Sequence, residues 1–374
     1  MEHFIQLWSL AVILASAFLI GWGAEAAQTF LPRALALSLL AWLQTLPEFA
    51  VEATIAWNQQ RDLMIANLTG SLRLLVGLGW PMVFFVHFVS ERLRSKRYAW
   101  ELKLPDEDSL SVLFVFLGAI YFVAVLVKKS LTSLDSGFLI LLYLLYLYFS
   151  MRLPISEVEE EDDLPWVPRQ VARWSAVPRG LGVFSLFAVG GVGLYFSSHP
   201  FITTLEKWAV GWGISAFVFV QWVAPFLSEF PEKLTAFNWA RQKNKAPMAV
   251  INMVSSNINQ WTMLAAMIPL VFSLSLGHWE PVKLDAMHRE ELALTLLQSL
   301  VGGVILLDLR FHFIEASLLL GLWALQFFIP ALRFPVSMAY ALWLTLLILK
   351  IFYEYFLRHR VPRALVSLNQ MRTK

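Results

Sequence analysis

The feature that most restricts how this chain can fold is a glutamate that directly follows a proline inside an apolar run, and it occurs twice. The two glutamates, Glu48 and Glu232, are 184 positions apart, and the asparagines that follow them, Asn67 and Asn252, are 185 positions apart. Because a proline removes a backbone hydrogen bond, each glutamate is expected on a broken helix. Two copies of a broken, carboxylate-bearing helix predict a duplicated membrane protein whose functional site lies where the copies meet.

The composition is that of a membrane protein. Hydrophobic residues make up 58% of the 374 residues and charged residues only 15%, and the mean hydropathy is +0.62. A soluble domain of this size needs more charge to cover its surface. We therefore expect an all-α polytopic membrane protein that contacts the lipid bilayer and binds no nucleic acid, with its oligomeric state open. The absence of cysteine excludes disulfides and thiolate metal sites.

The hydropathy pattern predicts eleven spans, because apolar runs of about 20 residues can each cross a bilayer. They cover about 4–22, 33–57, 62–90, 109–127, 134–152, 179–198, 205–240, 245–276, 290–308, 313–330 and 335–357. The second and seventh carry the glutamates, and the third and eighth carry the asparagines. An odd number of helices per half, five, predicts that the second half is inverted relative to the first.

These spans divide the chain into two halves, a linker and an extra C-terminal helix. The expected bounds are 1–152 for the first half with its repeat at about 35–90, 153–178 for an acidic cytoplasmic linker, 179–332 for the second half with its repeat at about 205–276, and 333–374 for the extra transmembrane helix and a basic tail. The linker contains a run of acidic residues from Glu157 to Asp163. Such a run is typical of a solvated connection, and it is also able to attract divalent cations.

The distribution of basic residues predicts the orientation in the membrane. Of the 29 lysines and arginines, 19 fall on one side of the predicted spans, seven on the other side and three within spans. Cytoplasmic loops carry the excess of positive charge. The N-terminus is therefore expected outside and the C-terminus in the cytoplasm, and an odd number of spans agrees with this.

The two glutamates are the strongest candidates for a functional role, because a carboxylate at mid-membrane depth is costly unless it is paired or hydrated. Hydroxyl and amide side chains lie near them in the sequence, namely Gln44, Thr45, Ser228, Ser71, Ser256 and Asn257. Oxygen ligands of this kind suit Ca²⁺ or Na⁺, and no His/Cys grouping suits Zn²⁺ or Cu⁺. Asn67 and Asn252 are expected to support the site, or merely to bond broken backbone between packed helices.

The duplicated segments resemble the two α-repeats of the sodium/calcium exchanger (calcium/cation antiporter) superfamily. The family pattern is Gly-Thr-Ser-Leu-Pro-Glu followed by Gly-Asn-x-x-Gly-Ser-Asn/Asp. The first copy here reads Leu-Gln-Thr-Leu-Pro-Glu ending at Glu48 and then Ala-Asn-Leu-Thr-Gly-Ser-Leu ending at Leu72; the second reads Leu-Ser-Glu-Phe-Pro-Glu ending at Glu232 and then Ile-Asn-Met-Val-Ser-Ser-Asn ending at Asn257. The chain is thus similar to a divergent bacterial-type member, which implies the inner (plasma) membrane.

The resemblance implies an inverted-repeat antiporter in which Glu48 and Glu232 are the metal ligands. They would bind Ca²⁺ and a competing Na⁺ or H⁺ alternately from each side, as transported ions rather than as cofactors. The residues that match the family's supporting oxygen ligands are Thr45, Ser71, Ser228, Ser256 and Asn257.

The chain departs from the family pattern at several positions. Leu72 replaces an asparagine ligand, and the fixed cation Arg73 follows it. Glu229 replaces a hydroxyl residue and is spaced to pair with Lys233 at i, i+4. Glu52 adds a carboxylate one turn beyond Glu48 on the same helical face.

A charge count follows from these departures. If the glutamate and lysine at 229 and 233 cancel, three glutamates face one arginine, which leaves two negative charges for one divalent or two monovalent ions. Alternatively, Arg73 takes the place of a transported cation and protons replace Na⁺. Arg73 and Lys233 also fit a purely structural role, as partners or as side chains that extend to the membrane interface.

We therefore expect a secondary active cation antiporter, exchanging Ca²⁺ for Na⁺ or H⁺ by alternating access, rather than an enzyme. Two other hypotheses stay open at this point. One is a non-transporting or regulatory membrane protein that kept the fold, and the other is a monovalent cation/H⁺ antiporter. A membrane enzyme ranks last, because the sequence holds no HExxH, GxSxG, Gly-Lys-Ser/Thr or paired-aspartate motif.

Overall fold

The computed structural model describes residues 2–28, 40–42, 44–153, 164–213 and 215–372, and helices dominate them. The acidic run of the linker and the start of the second predicted span lie outside the described residues. The helices of the first half are α1 (Glu2–Gln28), α2 (Leu46–Trp57), α3 (Arg61–Leu74), α4 (Trp80–Ser95), α5 (Ser109–Lys128) and α6 (Ser133–Ser150).

The second half repeats this order after a short connecting helix. Its helices are α7 (Trp166–Ala172), α8 (Ala176–Gly211), α9 (Ala216–Ser228), α10 (Phe230–Arg241), α11 (Ala246–Asn259), α12 (Ala265–Leu276), α13 (Ala286–Leu306) and α14 (Phe313–Phe328). Two further helices follow, α15 (Arg333–Arg358) and α16 (Arg363–Arg372).

One predicted boundary is wrong. The sequence predicts a break between residues 198 and 205, but α8 continues through it, with Pro200 inside the helix. Membrane helices tolerate an internal proline because neighbouring groups satisfy the freed backbone. The chain instead turns after Gly211, where Gly213 has a φ of +65° that favours glycine.

Both predicted proline breaks are present, and they have the same geometry. Thr45 precedes α2 with φ −86° and ψ −4°, and Glu229 precedes α10 with φ −95° and ψ 4°. In each copy the proline stands at the start of the new helix, where its missing N–H costs least. The equivalent positions in the two copies are therefore Thr45 and Glu229.

The helix that carries the asparagine in each copy, α3 or α11, is called here the polar helix, and both polar helices end in the same irregularity. A π-helical segment, Leu75–Gly79, joins α3 to α4, and a second one, Gln260–Leu264, joins α11 to α12. They begin 185 positions apart, as the asparagines do. π-Helical turns are rare and often lie at functional sites because they change the direction in which side chains project.

Two short strand pairs show that the copies are inverted. β1 (Glu101–Lys103) pairs antiparallel with β4 (Arg310–His312), and β2 (Ser130–Leu131) pairs with β3 (Val282–Lys283). β1 and β2 are separated by α5, whose 20 residues span about 30 Å. The pairs therefore lie at opposite ends of the bundle, called here the β1–β4 face and the β2–β3 face. Corresponding strands of the two copies, β1 and β3, lie on different faces.

Length and composition mark seven helical segments among the described residues as able to cross a membrane, with two shorter apolar helices besides them. The helices α3 to α4 and α11 to α12 are the most enclosed of these segments, whereas α15 is mostly exposed along its length. The duplicated polar helices thus form the centre of the bundle. The plainer helices and α15 form its apolar periphery.

The contact between α3 and α9 is a direct backbone approach. A Cβ atom added at Gly70 would lie 1.8 Å from the carbonyl oxygen of Gln221. Only a glycine allows these two helices to meet so closely. This contact joins the polar helix of the first copy to the broken helix of the second.

Candidate functional site

The centre of the bundle holds a chain of hydrogen-bonded carboxylates that crosses from one copy to the other. Glu48, from the first copy, is buried and accepts a hydrogen bond of 2.7 Å from Nε2 of Gln260. The same nitrogen donates to Glu229 over 2.8 Å. Gln260 is the first residue of the second π-helical segment. One amide thus holds acids from both copies.

Glu229 also pairs with Lys233, one helical turn further along α10. This is the i, i+4 pair that the sequence predicts. Glu232 is completely buried, and Ser256 is its hydrogen-bonding neighbour. Glu229 is the electrostatic neighbour of both Glu48 and Glu232. The two duplicated glutamates therefore belong to one charged cluster, in which Glu229 is the shared member.

The site also contains polar atoms that no described residue satisfies. Ser71 neighbours Glu48, and Ser256 neighbours Glu232. Each of these hydroxyls is within bonding reach of its glutamate, whereas both polar atoms of Asn257 have no hydrogen-bond partner among the described residues. Buried polar atoms are normally paired. A group of buried carboxylate, hydroxyl and amide oxygens that can still accept further contacts is what an ion site requires.

Thr45 and Ser228 lie at the breaks, as predicted, and their hydroxyls bond their own helices. Thr45 donates to the carbonyl of Trp42 over 2.9 Å, and Ser228 donates to that of Pro225 over 3.4 Å. A hydroxyl that donates in this way keeps its oxygen lone pairs available. Both oxygens can therefore still bind a cation.

The two asparagines support side chains rather than broken backbone, so the prediction of backbone bonding is wrong. Asn67 donates to Glu52 over 2.7 Å, and Asn252 donates to the side-chain oxygen of Gln44 over 3.0 Å. The asparagine of each copy thus reaches the broken helix of the first copy. This fixes Glu52 and Gln44 on either side of Glu48.

Arg73 lies outside the carboxylate cluster. Its guanidinium pairs with Glu291 on α13 at 2.5 Å, and the arginine and glutamate side chains are 0% and 4% exposed. It also donates 2.6 Å to Gln326 and lies 5.0 Å from the ring centre of Trp222. Arg73 therefore does not cancel charge at the central site.

A second cluster surrounds this arginine and joins five helices. Glu291 pairs with Arg333 at the start of α15 and accepts a 2.8 Å hydrogen bond from Gln221 on α9. Arg333 also donates to Gln221 over 3.1 Å. Gln298 donates to the backbone carbonyl of Arg73 over 2.9 Å. This arginine cluster lies beside the Gly70 contact and holds α3, α9, α13, α14 and α15 together.

Gln260 and Glu291 are the functional residues that sequence reasoning missed. Gln260 follows Asn252 and Ser256 at four-residue intervals, so helical periodicity alone places it on the polar face. Glu291 lies near the start of a predicted helix, where an acid needs no further explanation. Only the fold brings Glu291 against Arg73.

The central site can bind a small cation. Four buried carboxylates, on Glu48, Glu52, Glu229 and Glu232, lie with one lysine in a cluster that Arg73 does not neutralise. Carboxylate, hydroxyl and amide oxygens are the ligands that Ca²⁺ and Na⁺ prefer. The broken helices add backbone groups that no longer belong to a continuous ladder.

The similarity to known proteins agrees with the two-copy architecture. The sequence model of the family described as sodium/calcium exchanger protein matches residues 3–152 and 182–332, one match for each half. A crystal structure of the H⁺/Ca²⁺ exchanger CAX is 32% identical in sequence, with a TM-score of 0.87 over 99% of this chain and 90% of that one.

A second solved structure shares the fold at lower identity. The sodium–calcium exchanger NCX_Mj, soaked with 2.5 mM Na⁺ and 10 mM Sr²⁺, is 18% identical, with a TM-score of 0.55 over 86% of this chain and 96% of that one. No curated protein sequence matches the chain significantly.

The buried pair between Arg73 and Glu291 gives a prediction for stability. The change Glu291→Gln leaves two arginine charges without their acid, which is expected to destabilise the protein by about 3–5 kcal/mol. We expect the Tm in detergent to fall by about 5 °C or more. The matched control, Arg61→Gln, breaks the exposed pair with Glu280 and is expected to cost at most about 1 kcal/mol. Equal Tm values for both variants would contradict this account of the cluster.

Proposed function

We propose, from the premise that the chain belongs to the sodium/calcium exchanger protein family, that it moves Ca²⁺ across the membrane in exchange for protons at the site around Glu48 and Glu232. The chain is an integral membrane protein with two repeats of the exchanger fold and is a cation antiporter.

The observation that carries the proposal is the amide bridge of Gln260. It joins Glu48 of one copy to Glu229 of the other, and Glu229 neighbours Glu232. Acids that repel each other persist in a buried site only when a bound ion, proton or hydrogen bond compensates their charge. The bridge supports a role in which the site alternates between a metal ion and protons.

The charge of the site supports protons as the counter-ion. Lys233 compensates Glu229, and we take Glu52, which accepts a hydrogen bond from Asn67, to keep a proton throughout the transport cycle. Glu48 and Glu232 then supply two negative charges, which one Ca²⁺ or two protons neutralise. Leu72 removes an oxygen ligand that the family pattern provides, so fewer ligands are left for several Na⁺ ions at once. The 32% identity to an H⁺/Ca²⁺ exchanger over 99% of the chain points the same way.

A cavity of about 570 Å³ supports an access route from the β1–β4 face. Its lining includes Leu234, Thr235 and Asn238, which follow Glu232 along α10. It also includes Arg241, whose carbonyl accepts a hydrogen bond from Arg94 beside β1. The Gly70 contact and the arginine cluster instead pack α3 directly against α9 and α13.

We place the β1–β4 face in the cytoplasm. The basic residues that follow α4 and those that precede and form α16 lie at this end of the bundle, in agreement with the positive-inside rule. Arg363 pairs with Asp106 at 2.7 Å, which ties the C-terminal helix α16 to the same face. The cavity then opens to the cytoplasm.

The proposed counter-ion is tested in sealed vesicles that contain the purified protein. We expect an imposed pH gradient to drive Ca²⁺ uptake, and a Na⁺ gradient at uniform pH to drive none, because two protons replace one Ca²⁺. Radioactive Ca²⁺ uptake and a pH-sensitive dye measure both fluxes. Uptake that follows the Na⁺ gradient and ignores the pH gradient would overturn the choice of protons.

The proposed ligands are tested by removing one charge at a time. We expect Glu48→Gln and Glu232→Gln each to weaken Ca²⁺ affinity by roughly tenfold or more, since each 1.4 kcal/mol of lost binding free energy is a factor of ten. Glu290→Gln, a change at an exposed glutamate of α13, is the control and leaves uptake unchanged. If both central variants transport as the wild type does, the site is assigned wrongly.

A further inference from the structure

A second group of potential metal ligands lies on the β2–β3 face, away from the central site. Asp62 stands in the first turn of α3, and Asp285 and His288 stand at the start of α13. One ligand atom from each of the three side chains lies within 4.8 Å of the others. The central carboxylates are on other turns and other helices. The cluster therefore has no part in the transport site described above.

His288 is the residue that makes this cluster more than a pair of surface acids. Its residue exposure is 3%, whereas the side chains of Asp62 and Asp285 are 69% and 63% exposed. Both ring nitrogens are buried, and neither has a hydrogen-bond partner among the described residues. A buried imidazole that is aimed at two carboxylates without bonding either is an unsatisfied polar group.

The distance between His288 and Asp62 fits two ligands of one metal ion. Nε2 of His288 lies 3.1 Å from Asp62 Oδ1, and Nδ1 lies 3.3 Å from Asp285 Oδ1, but neither contact has hydrogen-bond geometry. Two ligands of a tetrahedral Zn²⁺ are about 3.3 Å apart, since its bonds to nitrogen and oxygen are about 2.0–2.2 Å long. Because an imidazole gives one ion only one of its nitrogens, Nε2 with Asp62 is the pair that already fits. Asp285, whose ligand atom lies within 4.8 Å of the others, has to move to complete the site. The exposed aspartates have the freedom to close on such an ion.

The charges around the cluster are mixed. Arg289 donates to the backbone carbonyl of Asp285 over 3.2 Å, so it bonds the main chain there and not one of the two carboxylates. Arg61, the basic neighbour of Asp62, pairs with Glu280 at 3.1 Å and lies against Phe272 rather than beside the cluster. Asp285 is held near His288 because its Oδ1 accepts the backbone N–H of His288 over 2.9 Å. The helix cap thus keeps this carboxylate close to the imidazole. The two aspartates bring two negative charges to the buried imidazole.

We propose that Asp62, Asp285 and His288 form a binding site for a divalent transition-metal ion of the Zn²⁺ class, separate from the transport site. The imidazole ligand favours Zn²⁺ over Ca²⁺ as the bound ion. Ca²⁺ selects oxygen donors, whereas Zn²⁺ accepts nitrogen together with carboxylate oxygen. A bound ion links the start of α3 to the start of α13. It therefore holds the polar helix of the first copy against a helix of the second half.

The test is Zn²⁺ binding to the purified full-length protein in detergent without Ca²⁺, measured by competition with a chromophoric chelator and by the rise in Tm. We expect saturable binding of one ion per chain. His288→Gln and Asp62→Asn are each expected to weaken it by roughly tenfold or more, the cost of losing a ligand or its support. Asp62 is exposed, so its variant retains the fold even if the His288 variant does not.

Two controls separate this site from its alternatives. His278→Gln changes an exposed histidine on the same face and is expected to bind Zn²⁺ as the wild type does. Glu48→Gln removes a central ligand and is also expected to leave Zn²⁺ binding intact, whatever it does to Ca²⁺. Zn²⁺ binding that survives both His288→Gln and Asp62→Asn, or that is lost with Glu48→Gln, would overturn the proposal. No binding at all would leave His288 as an ion-pair partner and would overturn it equally.

Discussion

The amide of Gln260 is the interaction on which the rest of the site depends. Its one nitrogen donates to a glutamate of the first copy and to a glutamate of the second. The π-helical segment that begins at this residue turns the side chain into the junction. Without that bridge, acids of both copies would face each other in a low-dielectric interior with nothing to hold them in register.

The arginine cluster is separate from the central acids. Because of this separation, the central site keeps its negative charge. The arginine cluster satisfies Arg73 with Glu291, so the central acids are left to ions and to Lys233. The same cluster packs beside the backbone contact of Gly70, because Gln221 takes part in both. The central acids thus lie on α2 and at the start of α10, whereas the arginine cluster lies on α3, α9, α13, α14 and α15.

Local patterns were sufficient to predict much of this architecture. The duplication, the inverted copies, the two broken helices and the central acids follow from proline, glutamate and asparagine positions in apolar runs. The uninterrupted course of α8 through Pro200 could not be predicted in this way, because tertiary packing decides whether a membrane helix bends or ends at a proline. The partners of Arg73 and Asn67 could not be predicted either. Arg73 meets Glu291 only because the fold brings two distant helices together. Asn67 can bond a side-chain or a backbone acceptor, and residue spacing does not decide between them.

The most direct test of the central claim is the position of the metal itself. Crystals of the protein grown with Ca²⁺ would show it by anomalous scattering. The account predicts a peak at about 2.3–2.6 Å from carboxylate oxygens of Glu48 and Glu232, with Gln260 shifted from the bridge it now makes. A peak elsewhere in the bundle, with both glutamates still in their present hydrogen bonds, would contradict the account.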